Sequence, residues 1–207
     1  MSEMWKTIAA ERGSLADDLS DLSEAEWNAR SLCGDWTVRD TLAHMTATAA
    51  TTPPKFIAGF LAAGFDFGKF AARGIARQRG ASSAETLAKF RAQQDATTSP
   101  PGPKASWLGE TLVHAEDIRR PLGIRHTYPV DALKTVIDFY KDSNTLIGTK
   151  DRIAGLTLVA TDTDWSHGDG PTAEGPILSL LIAATGRAAG CDDLTGEGVA
   201  TLRERSR

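Results

Sequence analysis

The sequence is poor in the residues and runs that mark several classes of protein. Its 207 residues include only two cysteines, Cys33 and Cys191, which lie far apart and outside any C-x-x-C spacing. Neither a disulfide framework nor a zinc cluster held by thiolates is therefore expected, and isolated cysteines fit a reducing cytoplasm. Lysine and arginine form no long run, and 27 acidic against 23 basic residues leave a net charge of −4. This balance argues against nucleic acid as a partner, because phosphate neutralisation needs a dense positive surface.

A long hydrophobic run is also missing. The longest apolar stretch covers residues 56–65 and is about half of the roughly 20 residues that cross a bilayer. We expect it to form a core or pocket helix, with a lipid-facing or dimer-forming helix as the alternative. The amino terminus has neither a basic start nor an apolar segment followed by small residues, so it does not resemble a secretory signal. The expected location is the cytoplasm, with no membrane partner.

The proportions of hydrophobic and charged residues are typical of a globular protein. Hydrophobic residues make up 41% and charged residues 24% of the chain. These values exclude the disordered, collagenous and disulfide-rich classes. A chain of this length can bury roughly 70% of the surface that it exposes when unfolded. One large domain or two small ones would therefore fit.

Hydrophobic periodicity and helix-breaking residues predict a helical first part and a mixed second part. Near Gly148 the character changes, because residues 156–160 alternate like a strand and Pro176 opens an apolar helix. We therefore predict an α+β fold, with a helical bundle at residues 1–147 and a small α/β domain at residues 148–207. The expected helices cover residues 4–19, 37–50, 56–77, 82–96, 104–120 and 130–146, with a short capped turn that starts at Ser23.

Two of these helices carry side chains that could bind a metal ion. Glu110 and His114 are four residues apart and therefore lie one turn apart on the same helical face, away from the apolar stripe. His44 lies beside the apolar stripe of the 37–50 helix. Two imidazoles and one carboxylate leave a fourth tetrahedral position open, as in catalytic zinc sites, and the set also suits iron or nickel. From spacing alone, a solvated Glu–His contact and a half-buried His44 remain alternatives.

Three blocks of the sequence resemble a known family. Residues 31–47, SLCGDWTVRDTLAHMTA, resemble the signature helix entry of the DinB-like, mycothiol-dependent maleylpyruvate isomerase family. Residues 107–123, WLGETLVHAEDIRRPLG, resemble its second signature, in which Glu and His stand four apart. The stretch from residue 156 onwards is similar to the family's small C-terminal domain. The blocks follow in the same order and together span nearly the whole chain.

The resemblance implies a fold and a set of site residues. The fold would be a DinB-like up-down four-helix bundle followed by a small C-terminal α/β domain. A divalent metal, usually Zn²⁺ but alternatively Ni²⁺ or Fe²⁺, would bind His44, Glu110 and His114. An arginine of the C-terminal domain that is implicated in activity would correspond to Arg187, which is therefore the predicted catalytic residue.

The resemblance also implies the chemistry. Mycothiol would be the thiol cosubstrate, since a divalent cation deprotonates a thiol whose ordinary pKa is about 8.5. The thiolate could add to a cis double bond, permit rotation and leave again, or it could be transferred to an electrophile. The partners would be this small thiol and a small electrophilic or unsaturated acid, bound by a monomer or a homodimer. The alternatives are a non-catalytic metal- or ligand-binding protein and a metal-dependent hydrolase.

Three further residues near these motifs have less specific interpretations. Asp117 could support a metal ligand or form an ion pair at the helix surface. Trp36 is expected to be a packing anchor for the turn at residues 33–37 rather than a platform for substrate. Cys33 is expected to be a buried structural residue, because no His and Asp pair stands near it in the sequence to activate it as a nucleophile.

Overall fold

The computed structural model describes residues 1–145 and 147–206, and the chain divides into two compact units, Met1–His126 and Thr127–Arg207. Helices dominate both units, and the second also contains a three-stranded sheet. The predicted α+β class, a helical bundle followed by a small mixed part, is confirmed. The division between the units precedes the helix that begins at Val130, whereas the sequence placed the change after it. As a domain boundary, the position between residues 147 and 148 stays a prediction.

The first unit is a helical bundle with one continuous apolar core. Helix α3 packs against α5, α6 and α7, and α1 packs against α6 and α7. The apolar stripe predicted on α3, formed by Val38, Leu42, Met45 and Ala49, is at most 1% exposed and faces this core. The helices are α1 (Glu3–Asp18), α2 (Glu24–Trp27), α3 (Val38–Ala49), α4 (Pro53–Ala62), α5 (Phe67–Gln78), α6 (Ser83–Arg91) and α7 (Lys104–Arg119).

Side-chain caps start several of these helices where the sequence predicted. Ser23 and Glu26 form a complete capping box at α2. Thr37 and Asp40 form another at α3, with the Asp40 N–H donated to Thr37 Oγ1 at 3.1 Å. At α6, Ser82 caps the helix, but the Glu85 carboxylate accepts the N–H of Ala81 instead of completing a box. The start of α3 is thus determined locally, and this start sets the position of His44 on the helix.

The predicted 56–77 helix is two helices, and its first half is not part of the core. Positive φ angles at Gly64 (67°) and Phe65 (62°) break it between α4 and α5. Thr52 caps α4, and Pro53 is its first residue, a position that favours proline. The prolines that were expected to end α3 therefore also begin α4. No residue of α4 is buried. The expectation of a core helix was therefore wrong, whereas the alternative of a pocket helix is borne out by the cavity described below.

The second unit packs helices on a small sheet. Strand β1 pairs antiparallel with β2, with Leu158 opposite His167, and parallel with β3, with Thr157 opposite Thr172. The predicted strand and apolar helix are both present. The helix predicted for residues 130–146 ends at Lys141. Its predicted last residue, Leu146, lies outside the described residues. The elements are α8 (Val130–Lys141), α9 (Thr149–Ile153), β1 (Thr157–Ala160), β2 (Ser166–His167), β3 (Thr172–Gly175), α10 (Ile177–Ala184), a 3-10 helix (Ala188–Asp193) and α11 (Val199–Arg205).

Within residues 1–145 and 147–206, none of the helices combines the length and the apolar character that crossing a bilayer requires.

Candidate metal centre

Helices α3 and α7 bring together the three side chains that the sequence singled out. One ligand atom each from His44, Glu110 and His114 lies within 4.8 Å of the other two. The ring centroids of the two histidines are 5.0 Å apart, with the rings edge to face. Glu110 and His114 occupy successive turns of α7, and the packing of α3 on α7 adds His44. The arrangement matches the predicted set, although its role as a metal site stays a prediction.

Glu110 is the least satisfied of the three side chains. Its Oε1 atom is buried and has no hydrogen-bond partner among the described residues. Burial raises the pKa of this carboxyl, against the opposing effects of His114, Arg12 and a hydrogen bond with Thr48. A buried acceptor without a partner costs about 1–3 kcal/mol. A cation bound by this carboxylate and two imidazole nitrogens would supply the missing partner, and the donor set suits zinc, iron or nickel.

His44 has the protonation state that metal binding needs. Burial, together with the nearby charge of His114, lowers its pKa to about 3, although Asp117 acts in the opposite direction. The ring is therefore neutral at pH 7. A neutral imidazole keeps one nitrogen lone pair free, and this lone pair is what a metal ion binds.

His114 is held in place by a buried carboxylate. Its Nδ1 lies 2.8 Å from Oδ2 of Asp117, whose side chain has no exposed surface. Burial opposes a charge on the His114 ring, but the hydrogen bonds and charges of Asp117 and Cys33 outweigh it and raise its pKa to about 10. A carboxylate on one ring nitrogen directs the other towards a metal in many metalloproteins. Of the two interpretations of Asp117, the ion pair at the helix surface was wrong.

The turn before α3 covers one side of the cluster. Its ends are joined by a hydrogen bond from the Ser31 N–H to the Trp36 carbonyl oxygen, 2.9 Å, and the Leu32 N–H donates to the Asp117 carbonyl oxygen, 3.0 Å. The Trp36 ring lies 4.8 Å from the His44 ring and 6.4 Å from the His114 ring, measured between centroids. Trp36 therefore packs on the imidazoles themselves as well as bracing the turn.

Cys33 is the residue of the site whose position differs most from the sequence-based expectation. It is half-buried rather than buried, and its thiol is in hydrogen-bonding contact with the His114 ring. Cys33, His114 and Asp117 form a second group whose ligand atoms lie within 4.8 Å of one another. The set with Glu110 is the better cation site, because Asp117 already has His114 as a partner whereas Glu110 Oε1 has none. The sequence indicated the turn at residues 33–37 but not the contact between Cys33 and His114, because these two residues lie far apart along the chain.

A pocket opens beside His44 between α3, α4 and α5. Its volume is about 570 Å³, and its wall includes Thr48 from α3, Lys55 and Gly59 from α4, and Arg77 from α5. A cavity of this size can hold a small organic ligand. The pocket gives a ligand access to one of the predicted metal-binding side chains. The sequence predicted a core or pocket helix for this segment, and it gave no role to Lys55 or Arg77.

Arg187, the predicted catalytic residue, belongs to the second unit. It immediately precedes the 3-10 helix, is half-buried, and donates from Nη1 to the carbonyl oxygen of Thr185 at 2.9 Å. Its role in activity stays a prediction. In the first unit, His126 is outside both groups of possible ligands found among the described residues, and its Nε2 lies 2.8 Å from Oε2 of Glu11.

Comparison with known proteins bears on the N-terminal domain and on the fold. Residues 8–100, which include His44 but neither Glu110 nor His114, match the family profile of the mycothiol maleylpyruvate isomerase N-terminal domain. No curated protein sequence matches the chain. Among solved structures, a histidine-to-alanine mutant of the mycothiol-dependent maleylpyruvate isomerase is similar at 16% identity and a TM-score of 0.65, covering 94% of this chain and 92% of that one.

A second crystal structure of the mycothiol-dependent maleylpyruvate isomerase is similar at 17% identity and a TM-score of 0.62, again covering 94% of this chain and 92% of that one. At such identities, the likeness establishes the fold alone. The resemblance to the family depends instead on the sequence profile, which covers the helices from most of α1 to α6. Residues 8–100, just under half of this chain, match the family of the mycothiol maleylpyruvate isomerase N-terminal domain.

Proposed function

We propose that this protein is a metal-dependent enzyme that uses mycothiol to isomerise a small cis-unsaturated acid of the maleylpyruvate type. The observation that carries the proposal is the cluster of His44, Glu110 and His114, with an unpartnered buried carboxylate oxygen, in a domain of this family. The names of the structurally similar proteins supply the thiol and the class of substrate.

The three clustered side chains share one role in this proposal, which is to bind a metal ion. His44, Glu110 and His114 would hold a divalent cation, with Zn²⁺ as the first candidate. Such a cation lowers the pKa of a thiol and so supplies a thiolate nucleophile at neutral pH. Three protein ligands leave a further position for an exchangeable ligand, which is the property that separates catalytic from structural zinc sites.

The neighbouring residues position the ligands and restrict water. Asp117 accepts a hydrogen bond from the Nδ1–H of His114, and this contact directs Nε2 towards the cluster. The raised pKa of His114 keeps a proton on Nε2 as well in the metal-free protein, so a bound cation would displace that proton. Thr48 hydrogen-bonds to Glu110 and orients that carboxylate. Trp36 covers both imidazole rings with an apolar surface. Each of these contacts reduces the freedom of a ligand before any substrate binds.

The isomerisation itself needs no net change in the thiol. The thiolate sulfur bonds to one carbon of the cis double bond, and the electron pair of that bond moves into the conjugated carbonyl group. Rotation about the resulting single bond is followed by return of the electron pair and departure of the thiolate. The product is the trans acid, and the thiol is regenerated.

A thiol-dependence assay tests the proposal. Metal-loaded protein is incubated with maleylpyruvate and a panel of electrophiles, with and without mycothiol, and the products are identified by mass spectrometry and NMR. We expect the trans isomer to form only when mycothiol is present. Stable thioether products would instead establish S-transfer, and products of cleavage by water, formed without thiol, would establish a hydrolase. An absence of turnover across the panel would favour a non-catalytic binding protein.

Asp117→Asn is expected to weaken metal binding without removing a ligand. The amide oxygen carries no negative charge, so its hydrogen bond with the His114 Nδ1–H is weaker than that of the carboxylate. Loss of such an outer partner typically lowers metal affinity about 10- to 100-fold. Affinity is measured by competition with a chromophoric chelator. Glu116→Gln is the matched control, because Glu116 is a buried carboxylate of the same helix that forms an ion pair with Arg120 at 3.3 Å. Equal affinities in wild type and Asp117→Asn would contradict the positioning role.

A further inference from the structure

The pocket between α3, α4 and α5 is positively charged, although the chain as a whole carries a net charge of −4. Lys55 and Arg77 contribute to its wall, and among the described residues that line it there is no aspartate or glutamate. Both cationic side chains belong to exposed residues, whereas His44 in the same wall is half-buried. A ligand that reaches the metal centre through this pocket therefore passes two cations and no anion.

The cations on α5 that do not line the pocket have partners elsewhere. Lys69 pairs with Asp66 at 3.6 Å, and Arg73 donates to the Ala62 carbonyl oxygen at 2.7 Å. Arg77 uses only its Nε, which donates to the Arg73 carbonyl oxygen at 3.1 Å. Over residues 1–145 and 147–206, no ion pair is found for Arg77 or Lys55. The two terminal nitrogens of Arg77 thus remain available to an external acceptor.

The pocket also has room beside these charges. Most of its other wall residues are small, including Ala47, Ala71 and Gly74. At Gly59 a Cβ atom would come within 2.8 Å of Phe70, so the absence of a side chain lets α4 approach α5 closely. Small residues leave the volume of about 570 Å³ open instead of filling it.

We propose that this pocket is a carboxylate-binding subsite, in which Arg77 and Lys55 hold the acid group of the substrate while its unsaturated carbon lies towards His44. The proposal rests on the proposed function and deepens it by naming two residues that determine specificity. The planar guanidinium of Arg77 can bind a carboxylate through two parallel hydrogen bonds, and Lys55 adds a point charge. Neutral electrophiles would lack these interactions.

The test compares a dianion with a neutral molecule of the same shape. Maleate and maleamide are titrated calorimetrically into the protein as purified, and again after treatment with a chelator, at low ionic strength. We expect maleate to bind more tightly than maleamide. Arg77→Gln should raise the Kd for maleate about tenfold and Lys55→Gln about fivefold, because each removes a charge-assisted contact. The matched control is Lys69→Gln, which removes the same charge from α5 outside the pocket wall.

Several outcomes would overturn the subsite. These are equal binding of maleate and maleamide, an equal effect of Arg77→Gln and Lys69→Gln, and loss of all maleate binding on metal removal. Inorganic phosphate that binds as tightly as maleate, with the same dependence on Arg77, would replace the carboxylate assignment by a general anion site. Failure of thiol-dependent turnover with selective maleate binding intact would overturn the reaction and leave the subsite standing.

Discussion

Replacing His114 by alanine is expected to strip the protein of its metal and to abolish thiol-dependent turnover. His114 provides one of three clustered ligands and is also the side chain that Asp117 orients. Losing a ligand should lower metal affinity by more than the roughly 100-fold that marks the upper end for outer-shell changes. His44→Ala should have the same effect, because it leaves only the two ligands of α7. Metal content after dialysis is measured by mass spectrometry with inductively coupled plasma.

The control for this prediction is another histidine of the same chain. His167→Ala removes an imidazole that belongs to neither group of possible ligands among the described residues. It should retain full metal occupancy and wild-type turnover. Far-ultraviolet circular dichroism checks that all three variants keep their helices. Full occupancy in folded His44→Ala and His114→Ala protein would exclude this site as the metal centre.

Arg119→Met is expected to be the most destabilising single substitution considered for this fold. The Arg119 side chain has no exposed surface, and it links α7 to α1 through Asp18 and Ser14. Its Nε and Nη2 atoms lie 2.8 Å and 2.7 Å from Oδ2 of Asp18. The Asp18 side chain that loses its partner is 30% exposed and can be rehydrated, so we expect a loss of about 2–3 kcal/mol, below the roughly 3–5 kcal/mol of a fully buried pair. The free energy of unfolding is measured by urea titration of the metal-free protein.

Arg91→Met provides the comparison, because it breaks an exposed ion pair to the same helix. Arg91 pairs with Asp17 at 2.9 Å, and the two side chains are 41% and 74% exposed. Exposed pairs contribute about 1 kcal/mol or less. If Arg119→Met and Arg91→Met lowered the free energy of unfolding by the same amount, burial would not be the reason for the stabilising effect of Arg119.

Several features could be predicted because their causes are local in the chain. Thr37 and Asp40 cap α3 through groups three residues apart, so the start of that helix is visible in the sequence. The four-residue spacing of Glu110 and His114 puts them on one face of α7 wherever that helix packs. By contrast, the apolar sequence of α4 predicted burial for a helix of which no residue is buried, because burial depends on what packs against a helix. The aromatic side chains of this region pack largely on one another, as Phe56 does on Phe60 and Phe70.

The sequence by itself determined the α+β class, the main helices and which residue types could bind a metal, since periodicity, caps and helix breakers act over a few residues. Only the tertiary structure decided which of these side chains meet. The packing of α3 on α7 joins His44 to Glu110 and His114, buries Asp117 behind His114, and places Cys33 and Trp36 against the same rings. The packing of α4 on α5, and of α5 on α3, puts Lys55 and Arg77 into one pocket wall. Such contacts join residues distant along the chain, and their geometry follows from how whole helices pack rather than from any local pattern.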